Sequence, residues 1–176
     1  MVKKGDIWIS AVLYMALGIV ILTIILAAGL PVINRIRDKN LAIDTKESMF
    51  TLDKNIREVY NEGPGSQRPL TLDIKKGNFI IDQDLNEINW SIESTVQLSD
   101  LDTVIQEGTL SIHSTKTTSN DYLIIFGLDY DPLNIDLVLN NPVNSLSGTN
   151  KLIVLNQGVT DPINNPNKVT IQISVI

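Results

Sequence analysis

The sequence is sparing with the residues that build most enzyme sites. There is no cysteine and one histidine, His113. Without cysteine, a disulfide framework, a thiolate nucleophile and a cysteine-ligated metal are all excluded. Basic residues are also few: 14 Lys and Arg stand against 20 Asp and Glu, for a net charge of -6. A nucleic-acid surface needs a basic patch, and the local clusters here, Lys75-Lys76 and Arg35/Arg37/Lys39, are small. No nucleic-acid partner is expected. No Ser/His/Asp spacing, phosphate-cradling glycine loop or HExxH pair occurs. His113 falls out of phase with Leu110 and Ile112, which predicts a solvent-facing strand residue with no partner to make it a base. Neither catalysis nor a cofactor is expected.

The longest gap in charge is at the front. Residues 7–33, IWISAVLYMALGIVILTIILAAGLPVI, contain no charged side chain. A membrane span needs about 20 apolar residues, so this segment is long enough. It is too long for the apolar region of a secretory signal peptide, roughly 7–15 residues, and apolar on every face, unlike a surface helix. Lipid, or a protein assembly resembling lipid, is the environment it fits. Lys3 and Lys4 precede it and Arg35, Arg37 and Lys39 follow it, so positive charge does not orient it. Thr23 lies inside it, and Ala11, Ala16, Gly18, Ala27 and Ala28 are small enough to admit a neighbouring helix. Pro31 removes one helical hydrogen bond and is expected to loosen the helix near residues 27–29.

Beyond Arg35 a helical stripe continues. Met49, Leu52, Ile56 and Val59 recur at three- and four-residue steps. Asp53/Arg57 and Lys54/Glu58 form i,i+4 pairs expected on the exposed side. Gly63-Pro64-Gly65 ends the helix. The period then becomes two. Leu72/Ile74 and Phe79–Ile81 flank Lys75-Lys76-Gly77-Asn78, which reads as a hairpin turn. Ile88/Trp90/Ile92, Leu110/Ile112, Ile135/Leu137/Leu139, residues 152–155 and Val169/Ile171/Ile173/Val175 complete the strands. Residues 122–128, apolar on both faces, predict a central one. Clusters such as NNPVNSLSGTN and NQGVTDPINNPN read as loops. The expectation is an α+β fold: a long hydrophobic helix continuing into an amphipathic one, packed on an antiparallel sandwich or sheet of about eight strands. The organisation expected is a hydrophobic membrane or assembly helix over 6–33, an amphipathic helix over 34–62 and a β-rich head of extracellular character over 66–176.

Two polar motifs invite a site. Asp82, Asp84, Asn86, Ile88 and Glu93 stand at positions one, three, five, seven and twelve of a calcium-loop template, but Glu87 holds the sharp-turn position where glycine is required. A solvated turn between strands is the simpler reading. Asp129, Asp131 and Asp136 cluster in DYDPLNID, where Asp-Pro is turn chemistry. Asn89-Trp90-Ser91 has the form of a glycosylation sequon.

Lys3-Lys4-Gly5-Asp6-Ile7, followed at once by the apolar run, resembles the precursors of archaeal type IV pilins with class III signal peptides. That resemblance covers about the first 35 residues and implies cleavage between Gly5 and Asp6 by a prepilin peptidase. It implies further that residues from Ile7 onward, including Ala11, Gly18, Thr23, Ala27, Ala28 and Pro31, form the assembly helix of a helical homo-oligomeric filament. Its partners would be membrane lipid before assembly and the pilus assembly machinery during it. The fifth residue after the cut is Ser10, not the Glu usual in bacterial type IV pilins. The Gln-x-Ser-x-Glu and Gly-Ile-Gly-Thr openings of other archaeal groups are also missing. An adhesive pilin fits this better than a motility filament subunit. The alternative is a single-span, membrane-anchored binding protein that never polymerises.

Overall fold

The computed structural model describes residues 4–117, 121–140, 145–163 and 166–176, with side chains from Trp8 onward. It is an α+β fold: a long helix, α1 (Lys4–Glu62), followed by eight strands in one mostly antiparallel sheet. The chain divides into two compact units, Met1–Arg37 and Asp38–Ile176, so the division falls inside α1.

The first unit is helix alone. The helix is unbroken through Pro31, so the loosening expected there does not interrupt it. From Trp8 to Ile36 the large apolar side chains are all exposed, Trp8 by 77% and Leu22 by 56%. Thr23 donates its hydroxyl to the Ile19 carbonyl at 2.8 Å, which satisfies that hydroxyl within the helix.

In the second unit α1 shows one face to the sheet. Ala42, Thr45, Met49, Leu52, Ile56 and Val59 are at most 2% exposed, and their alternating steps of three and four make a single stripe. Opposite it lie the inward residues of β1 (Gln67–Asp82), β2 (Glu87–Ser94), β4 (Leu110–Lys116), β5 (Tyr122–Asp129), β6 (Ile135–Leu139), β7 (Leu146–Gly158) and β8 (Val169–Val175); β3 (Val104–Glu107) is exposed. Each fully buried Leu, Ile or Phe contributes about 1.5–3 kcal/mol. Phe79 and Trp90, directly paired across β1 and β2, meet edge to face with centroids 5.7 Å apart.

The strand order is β3-β4-β5-β2-β1-β7-β8-β6, with β6 parallel to β8 and every other pair antiparallel. β5 is a central strand, paired with β2 and β4, as its two apolar faces predicted. Three loop expectations are corrected. Lys75–Asn78 is no hairpin turn but the middle of the 16-residue β1, which pairs with β7 before Gly77 and chiefly with β2 after it. Leu146–Asn150 and Asn156–Gly158 are strand, not loop, because β7 runs the length of the first half of β1. Val104–Glu107, which shows no buried alternation, adds an edge strand that periodicity missed.

The helix ends at Glu62, where Gly63 takes φ +91°, a left-handed value that favours glycine. Its last carbonyls are collected by two side chains. Ser66 Oγ lies 2.7 Å from the Val59 carbonyl oxygen. Asn156, 1% exposed in β7, donates Nδ2 to Val59 O at 3.0 Å and accepts the Gly158 N–H at 2.8 Å. Asn156→Ala should therefore destabilise the fold by about 2–3 kcal/mol, since it strands a buried donor as well as removing bonds. Urea unfolding of the variant beside wild type checks this; equal midpoints would show that water replaces the amide without loss.

Candidate functional site

The residues expected to carry function gather on the first half of α1. Lys3 lies outside the described residues. Lys4, Gly5, Asp6 and Ile7 open the helix, and their side chains also lie outside the described part. A helix turns about 100° per residue, which puts Ala11 and Gly18 within about 20° of each other. Thr23, Ala27 and Pro31 fall at about 120°, 160° and 200° from Ala11, on the opposite side, and Ala28 sits between the two stripes. The surface thus has two shallow seams separated by Trp, Ile, Leu and Val. Gly29 falls on the Ala11 and Gly18 side, and a Cβ added at Gly18 or Gly29 would meet nothing within 4 Å, so that seam is open at both glycines. By length and composition the helix is able to cross a membrane. No residue in 8–33 is charged, so what this surface can do chemically is exclude water.

The calcium-like motif is not assembled. Asp82, Asp84 and Asn86 belong to the turn joining β1 and β2, whereas Glu93 is six residues along β2, about 20 Å away at the rise of a strand. Among the described residues no three His, Cys, Asp or Glu stand where they could hold a metal ion. The turn has other work. Asp82 Oδ1 accepts the N–H groups of Asp84 and Leu85, each at 3.0 Å. Asn86, 5% exposed at φ +55°, accepts the N–H of Leu137 at 3.0 Å, and Gln83 accepts that of Leu139 at 2.9 Å. These are amides on β6, the last strand of the sheet, so the turn covers an edge that would otherwise be open to pairing.

Asp131 bonds its backbone N–H to Asp129 Oδ1 at 3.0 Å and pairs with Lys168. That ammonium holds the Asp131 carboxyl below its ordinary range and is itself held above its own. Asn89 is a half-buried residue in the interior of β2, paired on both flanks, with Nδ2 3.1 Å from Glu87 Oε2. His113 lies on the sheet face opposite Leu110 and Ile112, with Asp102 Oδ1 at 4.0 Å and Thr115 Oγ1 at 3.5 Å.

One polar cluster was not visible in the sequence. Asp53, expected on the exposed side of α1, is 6% exposed. Arg57 Nε donates to both its oxygens at 2.9 Å, Thr109 Oγ1 donates to Oδ2 at 2.7 Å and the buried Tyr130 hydroxyl donates to Oδ1 at 3.1 Å. Burial first, then the Asp53 charge, pushes the Tyr130 phenol well above its ordinary value. The folded chain therefore keeps this proton after the unfolded chain has lost it. The contribution is complete below the unfolded value, near pH 10, and declines as pH rises further, by up to about 1.4 kcal/mol per pH unit. The stability advantage of wild type over Tyr130→Phe should narrow between pH 9 and pH 11. A constant difference in melting temperature would contradict it.

Against known proteins, no family model, no curated sequence and no solved structure matches this chain.

Proposed function

We propose that this chain is a structural subunit of an archaeal type IV-like pilus that polymerises through its hydrophobic N-terminal helix after leader cleavage and serves surface attachment. One observation carries the reading: α1 exposes every large apolar side chain from Trp8 to Ile36, while the same helix buries a clean stripe from Ala42 to Val59 in the head. The second half is finished by its own sheet. The first half is left to be finished by something else.

Lipid can finish it in the precursor, and copies of the same helix can finish it in a filament at the cell surface. Leaving the membrane exposes apolar surface to water at roughly 25 cal/mol per Å². About 1,000 Å² reburied against sister helices would hold a subunit by tens of kcal/mol before entropy costs. A released subunit would lose most of that, so such a polymer sheds little. The Lys3-Lys4-Gly5-Asp6 opening supplies the cleavage site that would free the helix for transfer.

The test is made in native cells. Electron microscopy should show filaments whose subunit has the mass of a chain starting at Asp6. Gly5→Leu should leave the precursor uncut in the membrane, with filaments reduced below detection. A native chain that keeps residues 1–5 and stays dispersed in the membrane would overturn the proposal and leave a single-span anchor with a binding head.

A further inference from the structure

β1 changes partners along its length. Gln67–Ile74 pairs with β7, whereas β2 pairs only with Asn78–Asp82. Every second residue of a strand turns its N–H and C=O to each side. Between Leu70 and Ile74 the side away from β7 therefore presents backbone groups with no strand beside them among the described residues. This is an open edge in the interior of the sheet order, not at its end.

The described residues leave the gap unfilled. Between this stretch of β1 and the part of α1 from Leu41 to Thr51 lies a cavity of about 350 Å³, bounded at one side by Trp90. That volume falls within the range of ligand sites, about 300–1,000 Å³. Thr45 lines it. Thr23 and Thr51, on the same helix, satisfy their hydroxyls on the carbonyl four residues back, at 2.8 and 2.9 Å. Thr45 is 1% exposed and its Oγ1 has no partner among the described residues, although a buried hydroxyl is costly to leave unpaired. The walls carry three carboxylates, Asp44, Glu47 and Asp73, against one ammonium, Lys75. Lys75 is already paired with Asp44 at 2.8 Å. The lining thus carries a net charge of -2: Glu47 makes no ion pair among the described residues, and Asp73, exposed on β1, accepts the Thr149 hydroxyl at 2.9 Å and adds its charge to that felt by Lys75.

We propose that this groove is a strand-acceptor slot for an extended basic peptide segment, which adds beside Leu70–Ile74 and places Lys or Arg side chains against Glu47 and Asp73. The backbone edge supplies main-chain hydrogen bonds and the acidic walls supply selectivity, the division of labour of strand addition. A free amine would use the carboxylates but leave the backbone row idle. A neutral or acidic peptide would use the row but not the charge. The slot is separate from the apolar helix and does not depend on the filament reading.

Full-length protein in detergent micelles is titrated with a labelled alternating Val-Lys octapeptide, its Val-Glu counterpart, a Val-Lys version N-methylated at alternate backbone nitrogens, and spermine. The Val-Lys peptide should bind saturably, and the other three about tenfold or more weaker. Hydrogen exchange of the Leu70–Ile74 amides should slow on binding, an outcome read on the unmodified chain. Glu47→Lys with Asp73→Lys should invert the preference toward Val-Glu. Spermine or the N-methylated peptide binding as tightly as Val-Lys would show charge attraction without strand addition and overturn the proposal. So would saturable binding with unchanged exchange at Leu70–Ile74, or no binding at all.

Discussion

Asp53→Ala is expected to cost the second unit about 3 kcal/mol, the lower end of what breaking a buried pair costs. The carboxylate is shared by three donors from three places: Arg57 one turn along the helix, Thr109 after β3, and Tyr130 after β5. Its removal strands each differently. Arg57 is about one-third exposed and can turn to water, so its loss is modest. Tyr130 is fully buried and cannot, so its hydroxyl bears the desolvation penalty of an unmade bond, about 1–3 kcal/mol. The alanine also leaves a space beside Thr109. At this chain length 3 kcal/mol corresponds to a fall in melting temperature of about 6–12 °C. Asp53→Asn keeps the shape and loses the charge-assisted bonds, so it should fall between alanine and wild type. Because the three donors meet at one group, Asp53→Ala and Tyr130→Phe should be non-additive, with the double variant no worse than Asp53→Ala alone by more than a few tenths. Thermal melts followed by circular dichroism decide it. An Asp53→Ala protein melting within a degree of wild type would mean that the cluster is held by packing alone.

What the sequence made legible, and what it hid, divide along the distance between partners. The stripe Met49, Leu52, Ile56 and Val59 is legible because helix period and burial are both written within a few turns. The alternations of β2, β4 and β8 are legible for the same reason, and so is the stop at Gly63. Asp53 was misplaced because i,i+4 spacing to Arg57 is also what a solvated ion pair looks like; its deciding partners lie 56 and 77 residues away. The Asp82–Asn86 turn carries oxygen ligands at calcium-loop spacing, yet its buried amide oxygen is committed to Leu137, 51 residues on. Only the strand order shows that β6 has an edge in need of it. The groove beside Leu70 was hidden more deeply still, since a missing neighbour leaves no mark in a hydrophobic pattern. The apolar helix is the reverse case. Its uniformity around all faces is plain from the sequence, and its large apolar side chains from Trp8 to Ile36 are exposed.

Gly77→Val should be at least as damaging, on the order of 4 kcal/mol or more, the level reached when special backbone geometry is violated. Lys-Lys-Gly-Asn has the composition of a tight turn, but in the fold Gly77 takes φ +96° inside a strand that continues on both sides. A Cβ built there would sit 2.1 Å from the Ser91 carbonyl oxygen and 2.8 Å from the Ile92 Cγ2. The first is backbone of the neighbouring strand and cannot swing aside. Two costs therefore add: a β-branched residue in a conformation that only glycine adopts readily, and a displacement of β1 from β2. The displacement spreads, because Trp90 donates its indole N–H to the Lys76 carbonyl at 3.1 Å and packs on Phe79. Gly77→Ala tests the steric part with the smallest side chain and should lose most of the same stability. Gly63→Ala provides the contrast: φ is similar at +91°, but a Cβ there meets nothing within 4 Å, so only the backbone strain, about 1–2 kcal/mol, is expected. If Gly77→Ala and Gly63→Ala unfold at the same urea concentration, close approach of the two strands is not what fixes glycine at position 77.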